Sequence, residues 1–228
     1  MPNLKFRSTT KELLDADNIS FEDIKCNMKE LNTINTLLGG HAITIKGINN
    51  FKSKKEALNV CEIGCGGGDN INAIWKANNT HFNFTGVDLK KECVDFAKQQ
   101  YFNLNANWIT CDYSKVIFEK KPDVIFSSLF CHHFTEVQLI FMLKWMKENS
   151  KKGFFINDLQ RNSIAYFLIK WLTNLFSKSY LVINDAPLSV ARGFHKKEWN
   201  TIFEKAGIKN YSIEWKWAFR YLIVCKNA

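Results

Sequence analysis

The spacing of apolar positions changes near residue 56. Before it, Ile24, Met28, Leu31, Ile34, Leu37 and Leu38 recur at helical intervals, and Gly39-Gly40 closes the stripe. Thr9 to Glu12 and Ser20 to Asp23 carry the spacing of helix starts, so residues 8–50 predict an N-terminal helical layer. Beyond it, short apolar runs alternate with amphipathic ones. Strands are predicted at 58–64, 82–88, 106–111, 123–129 and 153–157, with helices near 69–77, 90–101 and 135–149. That alternation implies a parallel sheet covered on both faces. Residues 160–177 form a further amphipathic helix, on which Ile164, Phe167, Leu168, Trp171, Leu172, Leu175 and Phe176 share a face. A loop through Pro187, a helix at about 196–206 and a closing hairpin of strands 210–217 and 219–226 complete the chain.

The first strand runs into Glu62-Ile63-Gly64-Cys65-Gly66-Gly67-Gly68. Glycines after a strand let a ligand approach bare backbone. A dinucleotide fingerprint would need its third glycine at position 69, which is Asp69. An acid beside the turn disfavours phosphate and favours a cationic or neutral nucleoside. Asp88, at the tip of the second strand, can accept hydrogen bonds from both ribose hydroxyls; alternatively it starts the next helix. Asp112-Tyr113 follows the third strand, where an acid can meet an adenine amino group and its neighbour can pack on the ring. Each of these lies at the carboxyl end of a strand, where open α/β sheets bind ligands.

At 228 residues the chain is one domain, or one domain with a cap. The first residues are polar and charged, unlike a secretory signal. Seven cysteines without C-x-x-C pairing argue against disulfides and zinc and point to a reducing cytoplasm. The net charge of +9 raises nucleic acid as a partner, yet only Arg7, Arg161, Arg192 and Arg220 among 31 basic residues are arginines. Dispersed lysines read more simply as a solvated surface. Lys170, Asn174 and Lys178 interrupt the 160–177 run, so it should not span a bilayer; a core or lid helix is favoured over an interfacial anchor.

Over roughly residues 56–226 the chain resembles the class I S-adenosylmethionine-dependent methyltransferases. Glu62 to Gly68 is similar to their first motif, Gly86-Val87-Asp88-Leu89 to their second, and Asp112 to their adenine-contacting acid. Asp123 to Phe134 is similar to the fourth motif, and Gly153 to Asn157 to the fifth strand. The resemblance implies a seven-stranded Rossmann-like α/β sandwich of order 3-2-1-4-5-7-6 with strand 7 antiparallel. With the helical pattern before it, this gives an expected N-terminal helical lid over 1–55, a core over 56–228 and a helical cap inserted at about 160–193. S-adenosylmethionine would then be held by Glu62, Gly64, Cys65, Gly66, Gly68, Asp88, Leu89, Asp112, Tyr113 and Ser128. Segments 31–40, 157–161 and 185–190 resemble a bacterial small-molecule branch that accompanies polyketide, aryl-lipid or quinone-type pathways.

These features give an expected function: methyl transfer to an oxygen or carbon of a small aromatic or polyketide-derived acceptor, by a monomer or homodimer. An RNA or protein methyltransferase and a non-catalytic S-adenosyl-ligand binder are the alternatives. His133, then His132, are the candidate bases, since histidine accepts protons near neutrality; pocket wall is the alternative role. Adjacent histidines usually point apart, and no third ligand is evident in sequence, so no metal is expected. Asn157 and Asp158 are candidates to orient an acceptor hydroxyl or cap the next helix. Arg161 and Arg192 are candidates to hold an anionic acceptor or to form internal ion pairs, and Arg7 to cover a methionine carboxylate. A subset of the aromatic side chains between 154 and 177 would line a flat acceptor pocket.

Overall fold

A computed structural model describes residues 4–16, 18–52, 57–77 and 82–227. In chain order the elements are α1 (Phe21–Leu37), α2 (Gly40–Asn49), β1 (Leu58–Ile63), α3 (Asp69–Ala77), β2 (Phe82–Asp88), α4 (Lys91–Gln100), β3 (Ala106–Thr110), β4 (Val124–Ser128), α5 (Glu136–Asn149), β5 (Gly153–Leu159), α6 (Ser163–Phe176), α7 (Tyr180–Arg192), α8 (Lys196–Lys205), β6 (Tyr211–Lys216) and β7 (Arg220–Lys226). The strands form one sheet ordered β3-β2-β1-β4-β5-β7-β6. β1 to β5 are parallel, and β7 inserts antiparallel between β5 and β6. This is the expected order and strand sense. The expected boundary between residues 55 and 56 lies outside the described residues.

Strand alternation splits the core into two layers. Cys61, Ile63, Ile125, Phe154, Ile156 and Ile223 face α5 and α8, meeting Met142, Leu143 and Phe203. Leu58, Val60, Phe84, Phe126, Phe155 and Leu222 face the other way, against Ile43 and Ile48 of α2 and Ile71 and Ile74 of α3. Neighbouring residues of one strand thus serve opposite layers, as a sheet buried on both sides requires. α1 packs outside this sandwich on α4, through Ile24, Met28, Cys93 and Phe96.

Three segments differ from the expectation. Thr9 starts no helix: only a single 3-10 turn forms, at Leu13–Asp15, with Glu12 at its N-cap. Gly39-Gly40 does close the stripe of α1, as expected, but it also opens a further helix that the spacing did not single out. Gly39, at φ 75°, caps a second helix whose Gly40, Ile43, Thr44, Gly47 and Ile48 are buried. Glycine and β-branched residues give this run poor helix propensity, and tertiary packing overrides it. The small positions let α2 sit directly on β5, where a Cβ on Gly47 would fall 2.4 Å from the Phe155 ring. α2 is therefore part of the sheet's own covering layer. Finally, the loop expected through Pro187 is α7. Proline forfeits a backbone hydrogen bond inside a helix. Here Leu181, Val182, Val190 and Ala191 bury one face of α7, and that burial outweighs the loss.

Gly47→Ala sets helix propensity against packing. Alanine favours the helix by about 1 kcal/mol, but Phe155 is fully buried and stacked on Phe126 with centroids 4.8 Å apart, so it has no room to yield. Overpacking should win, lowering the unfolding free energy by about 1–3 kcal/mol. Urea melts should show a lower midpoint at unchanged slope; an unchanged or raised midpoint would contradict this packing.

Candidate functional site

β1 delivers Glu62 to the carboxyl edge of the sheet with no exposed surface. Oε1 accepts a hydrogen bond from Asn70 Nδ2 at 3.0 Å, while Oε2 has no partner. Burial pushes this carboxyl well above its ordinary range, with Asp69 and Asp88 adding to the effect and Asn70 opposing it. The chain then turns through Gly64, Gly66 and Gly68 at φ 66°, 49° and 79°, the left-handed region that favours glycine. A side chain is excluded on steric grounds too: a Cβ would meet Phe130 at 2.2 Å from Gly64, and Trp108 at 2.5 Å from Gly68. Within the turn Cys65 is buried, and its amide donates to Val87 O at 3.0 Å, which fixes the turn to the end of β2.

Asp88 ends β2. Its Oδ2 accepts from Gly66 N at 2.8 Å and its Oδ1 from Lys90 N at 2.9 Å. The acid therefore braces the glycine turn and the residue before α4, whose N-cap is Lys90 rather than Asp88. Burial raises its pKa, against the pull of those two amides and of the Lys90 charge. Leu89 beside it is 73% exposed, an apolar side chain standing at the rim. Asp112 caps a 3-10 turn by accepting from Ser114 N at 2.9 Å. Tyr113 is buried edge-on against Phe130, Phe134 and Trp145, and burial raises its pKa. Ser128, at the end of β4, accepts from Asn157 Nδ2 at 3.2 Å. Asn157 also donates to Gly40 O and Thr44 Oγ1, and its own Oδ1 is unpartnered. Thr44 donates to Asn70, so a polar chain runs from Glu62 through α3 and α2 to β5.

The second cluster forms after β4. Leu129 takes φ 54°, a strained conformation for a branched side chain. The 3-10 turn Cys131–His133 follows. His132 is buried, with Nδ1 2.8 Å from Asp158 Oδ1 and Nε2 3.5 Å from Glu12 Oε1. His133 is partly open, with Nδ1 3.3 Å from Asp15 and Nε2 3.7 Å from Glu12 Oε2. Burial disfavours charge on His132, but Asp158 and Glu12 outweigh it and push the imidazole up to about 9. The two carboxylates thus favour the imidazolium form of His132 at neutral pH. Glu12 and Asp158, penalised by burial, are both held below the usual carboxylate range, chiefly by His132. Glu12, His132 and His133 bring three ligating atoms within 4.8 Å of one another. The third group, which sequence spacing did not disclose, comes from the N-terminal segment.

The arginines are bound inside the fold. Arg192 donates to the carbonyls of His132, His133 and Thr10 at 3.1, 2.8 and 2.6 Å. Arg161 donates to Leu4 O, Gly193 O and Glu198 at 3.0, 2.6 and 2.7 Å, and is 1% exposed. Arg7 bonds the carbonyls of His132, Phe134 and Arg192 and lies 4.0 Å over the Phe194 ring. These three staple the N-terminal segment and the His132–His133 turn to the end of α7, the internal role given as the alternative for Arg161 and Arg192. Asp185 of α7 completes the clamp by accepting from Leu13 N and Leu14 N. Sequence reasoning also missed Arg220, a buried side chain that donates to Asn35 and keeps Nη1 unpartnered among the described residues. The scarcity of arginine among 31 basic residues was the one available signal.

Residues 60–153 match the family model described as a methyltransferase domain. No curated protein matches the chain in sequence. Among solved structures, the plantazolicin methyltransferase BpumL, in complex with a triazolic desmethylPZN analog and SAH, matches with TM-score 0.68 and 17% identity over 90% of this chain and 90% of that one. A SAM dependent methyltransferase from Aquifex aeolicus gives TM-score 0.64 and 17% identity over 92% and 100%. A Nostoc punctiforme protein proposed to be an O-methyltransferase gives TM-score 0.60 and 17% identity over 84% of this chain, which spans 56% of that protein's length. The sheet order with its antiparallel β7 is the fold that this chain shares with these structures.

His132 makes stability depend on pH. Its folded pKa, about 9, exceeds an unfolded value of about 6.5, so its contribution is complete below the latter and is lost as pH rises through the former. The gap in unfolding free energy between the wild type and His132→Gln should therefore shrink by on the order of 2–3 kcal/mol from pH 6 to pH 10. Urea melts across that range measure it; a constant gap would mean that His132 is neutral in the fold.

Proposed function

We propose that this chain, a class I S-adenosylmethionine-dependent methyltransferase by its domain and its fold, methylates an oxygen or carbon of a small, aromatic or polyketide-derived acceptor. The observation that carries the reading is the carboxyl edge of β1 and β2. A wholly buried carboxylate there keeps one oxygen unpartnered beside three left-handed glycines, with a second carboxylate bracing the turn. That donor set fits S-adenosylmethionine. Glu62 Oε2 suits a cationic amino group, the glycine turn exposes backbone, and Asp88 accepts from ribose hydroxyls while its amide bonds hold it in place. Leu89, Asp112 and Tyr113 then serve the adenine end, and Ser128 with Cys65 the wall between.

The sulfonium supplies an already activated methyl group, which leaves the protein to position the acceptor and remove its proton. His133 is suited to removing that proton, because it is the less buried of the pair and Asp15 at Nδ1 orients its ring. His132, already protonated, acts instead as a positioning residue that holds Glu12 and Asp158 apart as ions. Asn157 and Asp158 stand on the same rim, each with one oxygen unpartnered, and would orient the acceptor hydroxyl. The residues before α2 cover the site. Glu12 lies over both histidines, and Met28 of α1 lies 3.5 Å from where a Gly66 Cβ would stand. A small-molecule acceptor is favoured over RNA because all four arginines donate within the fold and leave no guanidinium fork for a phosphate chain.

Asp88→Ala should weaken S-adenosylhomocysteine at least about tenfold in calorimetry, since it removes the ribose acceptor and the brace of the turn. Unchanged affinity would take Asp88 out of the site and the reading with it. With a phenolic acceptor, His133→Gln should abolish the acid limb of the pH–rate profile, while His132→Gln lowers turnover without removing that limb. An unaltered profile in His133→Gln would leave that residue as wall.

A further inference from the structure

α6 rests on the remainder of the molecule mainly through α7, and among its residues only Thr173 is buried. Its outward arc carries Ile164, Phe167, Leu168, Trp171, Leu175 and Phe176, all exposed; Trp171 is 61% and Phe176 72% open to solvent. These positions are spaced by three and four, so they form one continuous strip along the helix. Trp215, whose indole donates to Gln160 shortly before α6, and Tyr180, shortly after it in the chain, are exposed as well. Contiguous apolar surface of this kind marks a docking face rather than scattered exposure.

The charge around the strip selects the occupant. No acidic residue lies between Asp158 and Asp185, while Lys170 and Lys178 are present there and the chain carries a net +9. Glu30, which reaches this end from α1, is occupied with the amides of Lys178 and Ser179 and the hydroxyl of Ser177. A second copy, related by a two-fold axis, would bring the same lysines against themselves. An anionic bilayer surface would instead pair the lysines with headgroups and receive the aromatic and aliphatic side chains at the acyl boundary. At 14 residues α6 is too short to cross a bilayer, so it would lie in the interface. We infer that the exposed face of α6 seats the protein on an anionic lipid surface, with the helix parallel to the membrane. Lipid binding of this kind needs neither cofactor nor acceptor, so it stands apart from methyl transfer.

Flotation of the full chain with vesicles of phosphatidylglycerol and phosphatidylcholine tests it. The wild type should float, less so on phosphatidylcholine alone or at high salt. Phe167→Ser/Trp171→Ser/Leu175→Ser should lower the bound fraction at least about tenfold at unchanged S-adenosylhomocysteine affinity. Lys170→Glu/Lys178→Glu should weaken binding to anionic vesicles alone, and decides the matter if the triple variant fails to fold. A wild type that does not float, or variants that float equally, would overturn the inference. So would a dimer in sedimentation velocity that the triple variant loses while vesicles remain unbound, since the face would then be a subunit interface.

Discussion

A carboxyl group taken out of water must be matched, and three strands of this sheet carry one at or beside their carboxyl ends. Asp88 closes β2, while Glu62 and Asp158 stand next to the last residues of β1 and β5 on the same edge. Each is matched differently. Asp88 receives two backbone amides, Asp158 an imidazolium and the amide of Leu159, Glu62 only one side-chain amide. The incompleteness is graded, and it is greatest at Glu62, next to the turn that has no side chains. An unsatisfied buried carboxyl oxygen is costly without a ligand and favourable with one that bonds it. That asymmetry makes the edge of β1 read as a binding site rather than as a flaw in the core.

The positive charges divide in the same manner. Lysines dress the outside of the protein, while the four arginines are used within it, where a planar fork can take several carbonyls at once. Their targets are chain segments remote in sequence: the first residues, the His132–His133 turn, and the end of α7. Without these staples the N-terminal segment would lose its main tie to the sheet edge, and Glu12 would not reach the histidines. The composition that argued against nucleic acid thus has a structural counterpart, since few arginines are present and each is engaged.

Much of this was legible in the chain because it depends on local order. The strand-to-glycine junction at 58–68 and the acid ending β2 are contiguous patterns, and the alternation of periods sets the sheet. What was not legible depends on partners far apart. Glu12 and His132 stand far apart in the chain, and no spacing rule joins them. α2 and α7 form against propensity, the first because glycines admit it to Phe155, the second because its buried face and Asp185 hold it around Pro187. The arginines at 161 and 192 illustrate the same limit. Their residue type suggested anion binding, but only three-dimensional burial reveals that backbone oxygens already occupy them.

The outward face of α6 completes this division. Helices that build the sandwich put their apolar residues on the sheet, whereas α6, attached at the end of β5, turns a comparable set away from it. Such a helix adds little to the core, so its sequence is free to serve the outside without disturbing the cradle at β1 and β2. On the proposed reading, the elements after β4 and β5 carry the choice of acceptor and the place where it is met. The elements before them use mostly backbone, and backbone is indifferent to the choice of acceptor.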